Sequence, residues 1–141
     1  MRPFITCLAL ASGLLSAAAA PVPKERAEAE KVVGVWKLVK SSSMSPAGVV
    51  VSLEMELTQS GEIILRQSVN DGPVAVCKGQ YSVAKFELPY SITYPGGGKK
   101  TERLTIKKLT DTEMILVDPD GIQEDFERIK PRKDEPKPEK K

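Results

Sequence analysis

Histidine is missing altogether from the 141 residues. Without an imidazole, neither the serines nor a cysteine thiolate has the usual partner for nucleophilic catalysis, and an enzyme is not expected. Cysteine is almost as scarce. Cys7 falls in the N-terminal apolar stretch, which leaves Cys77 as the single thiol of the remaining chain and excludes an internal disulfide there. Cys77 therefore reads as an inward core thiol. Long hydrophobic runs are also lacking: the only one, Phe4 to Leu15, is shorter than the roughly 20 residues that a spanning helix needs. No transmembrane segment is expected. Aromatic residues make up 5%, and there is one tryptophan, Trp36.

The N-terminal stretch has its own order of features. Arg2 precedes the apolar run, and small residues close it, which is the layout of a secretory signal peptide. Cleavage is placed after Ala19, with Ala17 and Ala19 as the small pair, because Pro21 would make a poor first mature residue. Residues 1–19 are thus expected to direct export, to the periplasm or beyond. No lipid anchor is expected, because Cys7 lies too early, after Pro3, Phe4, Ile5 and Thr6.

At the other end, residues 130–141 (KPRKDEPKPEKK) hold three prolines and nine charged residues, with nothing apolar to bury. A disordered tail is expected. Its six basic and three acidic residues allow weak contact with anionic surfaces. The interspersed acids favour a merely solubilising role, and no nucleic-acid partner is expected.

Between these ends the pattern is that of one small domain. Lys24 to Val33 is rich in helix formers behind Pro23, so residues 20–31 read as a linker and a short helix. The period then becomes two. Val49, Val51, Leu53, Met55 and Leu57 alternate with Ser52, Glu54, Glu56 and Thr58, a half-buried strand with its carboxylates outward. Further strands are expected over Val32 to Lys40, Glu62 to Val69, Val74 to Val83, Phe86 to Tyr94, Thr101 to Leu109, Glu113 to Asp118 and Ile122 to Ile129. Asn70-Asp71-Gly72 is a turn signal, because asparagine and glycine tolerate positive φ. Pro89 removes a ladder donor and predicts an edge or a bulge. Eight strands joined by short connections favour an all-β, eight-stranded antiparallel up-and-down barrel over a two-sheet sandwich, since closure removes exposed edges.

The other motifs carry little chemistry. Ser41, Ser42, Ser43 and Ser45 read as a flexible connection without a base. GGGKKT at Gly96 to Thr101 lacks phosphate-loop spacing and enters a strand. Asp118, Asp120, Glu124 and Asp125 lack EF-hand spacing, and Pro119 with Gly121 makes a plain hairpin turn. No metal and no cofactor are expected.

Five segments in order do point to a family. They are GVWKLV at Gly34 to Val39, T-x-x-G-E-I at Thr58 to Ile63, G-x-Y-x-V at Gly79 to Val83, the run from Ile106 to Asp118, and F-E-R-I at Phe126 to Ile129. Together they resemble the lipocalin-like (calycin-type) domains of small exported bacterial proteins, and more narrowly the paralogous families of such proteins in planctomycetes. The resemblance covers residues 32–129. It implies a barrel whose closed end is plugged by Trp36, with Arg128 across the indole and the helix as a cap. True lipocalins are longer, with deep loops and often disulfides.

The inward positions supply the one ligand feature. Filled by their own side chains they make a solid core; with some held back they leave room for one small apolar ligand. The candidate lining residues are Leu53, Met55, Tyr81, Phe86, Leu104 and Leu116. No inward charge is expected to fix a ligand, apart from Arg128. The expected function is therefore non-enzymatic: a small hydrophobic molecule held in the barrel mouth between the strands of residues 49–57 and 101–109. The alternative is a filled barrel that engages an envelope partner through its outer face or basic tail.

Overall fold

The computed structural model describes residues 23–43 and 45–131. The signal-peptide reading of residues 1–19 and the charged tail beyond Pro131 lie outside the described residues.

One helix, α1 (Pro23–Val32), precedes eight strands: β1 (Gly34–Ser41), β2 (Val51–Leu57), β3 (Glu62–Val69), β4 (Ala75–Tyr81), β5 (Glu87–Thr93), β6 (Lys99–Leu109), β7 (Glu113–Val117) and β8 (Gln123–Ile129). Each strand pairs antiparallel with the next, and β8 pairs back onto β1. The barrel is closed, so the sandwich alternative is excluded and every strand has two neighbours.

Alternation decides which side chains enter the barrel. On β2, Met55 and Leu57 are buried while Glu54 and Glu56, which alternate with them, are only half-buried; on β5, Leu88, Tyr90 and Ile92 are buried and Ser91 is exposed. Two register shifts interrupt the ladders, between Leu38 and Lys40 against β8 and between Ile106 and Lys108 against β7, where bulges bend the strands. Gly79 permits an unusually close approach of β4 and β5. A Cβ there would overlap the carbonyl oxygen of Ser91, so the glycine of the G-x-Y-x-V segment is a steric requirement.

Three local expectations need correction. Pro89 lies neither at a sheet edge nor in a bulge, because a closed barrel has no edge. It sits where the β4–β5 ladder ends, one rung beyond the Tyr81–Tyr90 pair, and its carbonyl accepts the Ser82 N–H at 3.1 Å. The missing donor thus falls on the last rung. At the Val69–Gly72 turn, the residues with positive φ are Asn70 (50°) and Asp71 (56°), not the glycine. Phe86 does not begin the inward row of β5. Lys85 and Phe86 are the two central residues of a tight hairpin, with φ of 53° and 60°, closed by paired hydrogen bonds between Ala84 and Glu87. The turn carries Phe86 out of the strand and leaves it 44% exposed.

The two poles of the barrel differ. The pole formed by the start of β1, the end of β8 and the β2–β3, β4–β5 and β6–β7 turns is covered by α1. Below it Val32, Trp36, Leu57, Ile63, Leu88, Met114 and Leu116 are almost wholly buried and fill the interior. The opposite pole is formed by the end of β1, the start of β2 and the β3–β4, β5–β6 and β7–β8 connections.

Candidate binding cavity

At that opposite pole the interior holds a cavity of about 540 Å³, within the roughly 300–1,000 Å³ usual for small-molecule sites. Part of its wall is apolar, with Leu53 from β2, Leu65 from β3, Cys77 from β4, Ile92 from β5 and Leu104 from β6, and Gln67 of β3 lies among them. Strands β2 and β6 lie across the barrel from each other, so Leu53 and Leu104 face the cavity from opposite walls. Ser41, Ser43 and Ser45 stand at its entrance. They are not merely a loose connection, because Ser42 continues the β1–β8 ladder: its N–H donates to the Gln123 carbonyl at 2.8 Å, and its Oγ accepts the Gln123 N–H at 2.7 Å.

The remaining wall is polar and charged. The Tyr90 hydroxyl donates to Glu102 Oε2 at 2.6 Å, and Lys100 Nζ reaches the same oxygen at 3.0 Å. Lys40, Asp118 and Glu124 also line the space. This overturns the expectation that no charge faces inward apart from Arg128. β6 has eleven residues and begins at Lys99 rather than Thr101, so its inward parity runs from Ile106 and Leu104 on through Glu102 to Lys100. On β8 the same step of two leads from Phe126 to Glu124. Charged residues are tolerated inward here because the cavity opens to solvent at this pole.

These groups titrate abnormally for identifiable reasons. Burial, followed by the hydrogen bond to Glu102 and nearby negative charge, pushes the Tyr90 phenol well above its ordinary value, so it remains a neutral donor. The hydrogen bond to Glu102 raises Lys100 despite partial burial, which acts in the opposite direction. Glu124 is raised chiefly by burial, then by the charges of Asp118 and Glu102, against a lowering effect from Lys100. Among the described residues, Glu124 has no hydrogen-bond or ion-pair partner.

The other sequence-derived candidates are dispersed. Met55 and Leu116 are 3% and 1% exposed and belong to the closed core below the cavity floor. Tyr81 lies at the covered pole, where its hydroxyl donates to the Thr58 carbonyl at 2.7 Å and burial raises its pKa. It lines a separate groove of about 300 Å³ between α1 and the β2–β3 turn. Phe86 lies in the β4–β5 turn at the same pole, where its N–H approaches Glu28 Oε2 at 3.4 Å. Sequence reasoning missed Lys100, Glu102 and Glu124, although the period of two extended back from Leu104 and Phe126 would have found them.

The covered pole is organised by Trp36 and Arg128. Trp36 is completely buried, and its Nε1–H donates to the Val32 carbonyl at 2.8 Å. The Arg128 guanidinium lies 4.2 Å from the indole centroid. It also donates to the carbonyls of Asp111 (2.6 Å), Val33 (2.6 Å) and Lys31 (2.5 Å). The last carbonyls of α1 are thus satisfied by a cation, which also suits the negative end of the helix.

No group of three Asp, Glu, Cys or His side chains is arranged to hold a metal among the described residues. Asp118 Oδ1 instead accepts the N–H groups of Asp120 and Ile122 at 2.9 and 2.8 Å, which closes the β7–β8 hairpin. No helix among the described residues is long and apolar enough to cross a membrane. No protein-family model matches this chain, and no curated protein matches it in sequence.

Proposed function

We propose that this chain is an exported, non-enzymatic binding protein of the lipocalin-like kind, holding one small molecule with a hydrophobic body in the open half of its barrel. The observation that carries this reading is the 540 Å³ cavity, open at its mouth and lined in part by apolar side chains. Apolar side chains on part of this wall, Leu53, Leu65, Ile92 and Leu104 among them, face an open space where they meet water. An apolar guest would remove that surface from water. Lipocalin-like membership is supported by the order of the sequence segments and by the Trp36–Arg128 stack at the covered pole. Export rests on the charged, apolar and small-residue order of residues 1–19.

The test uses a neutral apolar fluorophore such as N-phenyl-1-naphthylamine, together with native mass spectrometry of protein isolated from its own host. Saturable fluorescence enhancement and a co-purifying small mass are expected. Leu53→Trp combined with Leu65→Trp fills the cavity and should abolish the enhancement without lowering the melting temperature. An apo mass together with no enhancement in the parent refutes the reading.

A second reading is an interaction module acting on an envelope partner through the outer face or the basic tail. It is favoured by the exposed valines at and near the mouth side of β2 to β4: Val50, Val69, Val74 and Val76 are 67, 47, 58 and 40% exposed. Cell-surface association that survives filling of the cavity but disappears on deletion of residues 130–141, or on Val74→Lys with Val76→Lys, would favour it over ligand binding.

A further inference from the structure

Resting on the cavity reading above, we infer that the guest is an amphipathic amine, its hydrocarbon part on the apolar part of the wall and its ammonium group against the carboxylate of Glu124. Three carboxylates and two ammonium groups line the polar wall: Glu102, Asp118 and Glu124 against Lys40 and Lys100. They are not equivalent. Glu102 is already engaged by both Tyr90 and Lys100 on one oxygen. Asp118 is committed to the backbone of its own turn. Lys100 is held by Glu102, which leaves it a poor counter-ion for a carboxylate ligand, and Lys40 is solvent-exposed, so water screens its charge. Glu124 alone among these carboxylates has no partner among the described residues, and it faces the cavity from β8 beside the Glu102 cluster.

A half-buried carboxylate in such a position accepts hydrogen bonds and can donate none while ionised. A ligand carboxylate would be repelled by it, and an alcohol would satisfy it without neutralising the charge. A protonated amine does both. Its ammonium also relieves the mutual repulsion of Glu124, Asp118 and Glu102, the interaction that helps to push Glu124 upward in pKa.

Isothermal titration of the full chain with octylamine, octanol and octanoate separates head-group chemistry from tail burial. Octylamine should bind roughly 10-fold or more tighter than octanol, the range of one charge-assisted hydrogen bond, and octanoate should bind most weakly. In Glu124→Gln, octylamine should lose its preference over octanol measured in the same variant, while retained octanol binding shows the cavity intact. Octanol binding as well as octylamine in the parent, or an undiminished octylamine preference in Glu124→Gln, overturns the inference and leaves the cavity reading standing. Binding by none of the three overturns both.

Discussion

The guanidinium of Arg128 occupies the space in which a side chain at Gly34 would sit: a Cβ on Gly34 would collide with Nη1. Gly34 also has φ of 148°, a region that other residues rarely adopt. The glycine two residues before the tryptophan therefore serves the arginine that covers it. Gly34→Ala should cost about 1–3 kcal/mol from backbone strain plus whatever the displaced guanidinium loses. Urea denaturation of the variant against the parent reads this directly. An unchanged midpoint would mean that Arg128 does not hold this position in solution.

Removing the arginine itself gives a complementary result. Arg128→Met keeps an apolar stem over Trp36 but abandons the carbonyls of Lys31, Val33 and Asp111. A loss of about 2–3 kcal/mol is expected, the scale of a hydrogen bond to a charged group. Hydrogen exchange should show α1 opening well before the barrel strands. Arg128→Lys should recover only part of this, because one ammonium cannot span three carbonyls and stack as a plane.

Trp36→Ala removes the largest fully buried side chain at the covered pole. The expected cost is about 3–5 kcal/mol, measured by equilibrium unfolding. Any loss of ligand binding should follow the loss of folded protein. A variant as stable as the parent would contradict the role of Trp36 as the plug of the barrel.

Glu124 supplies a pH-dependent prediction whose sign follows from its raised pKa. The folded state holds this proton more firmly than the unfolded chain, so stability is lost as pH rises from the ordinary glutamate value of about 4.3 through the raised value. Glutamine has no such proton. Glu124→Gln should match the parent in acid, below the ordinary glutamate range, and melt at a higher temperature than the parent at neutral pH. A variant that is less stable at neutral pH would show that Glu124 has a stabilising partner in solution.

Cys77 reports on the same cavity. It is 7% exposed and lines the cavity. Alkylation by a bulky maleimide should be slow in the native protein and faster in urea, and a saturating cavity ligand should slow it further. The reaction is followed by intact-mass spectrometry. Ligand-independent alkylation would place the guest elsewhere.

Much of this fold was legible because period-two alternation and turn residues agree along the chain. The strand of Val51–Leu57 could be read directly from its valines, leucines and glutamates, and closure followed from the number of strands and the shortness of their connections. Phe86 was misread because its parity fits the inward row of Leu88 and Tyr90, whereas a hairpin made by Lys85 and Phe86 carries none of the usual glycine or asparagine signals. The polar wall escaped notice for another reason. Lys100 follows three glycines and looks like a loop residue, yet β6 extends back to include it, while Glu102 lies in the expected strand but its inward parity with Leu104 was not drawn. Volume was the least legible quantity. Whether Leu53 and Leu65 meet side chains from across the barrel or face an open space depends on three-dimensional packing, which alternation alone does not encode.

The covered pole also fixes how the molecule can be presented. The described chain enters through α1, which Arg128 clamps, and leaves β8 at Ile129, paired with Val35 beside the same helix end. Both points lie at the pole opposite the cavity mouth. Coupling through either end would therefore orient the barrel with its mouth outward, as a cup stands on its base, and would leave the route to Glu124 and Leu53 clear.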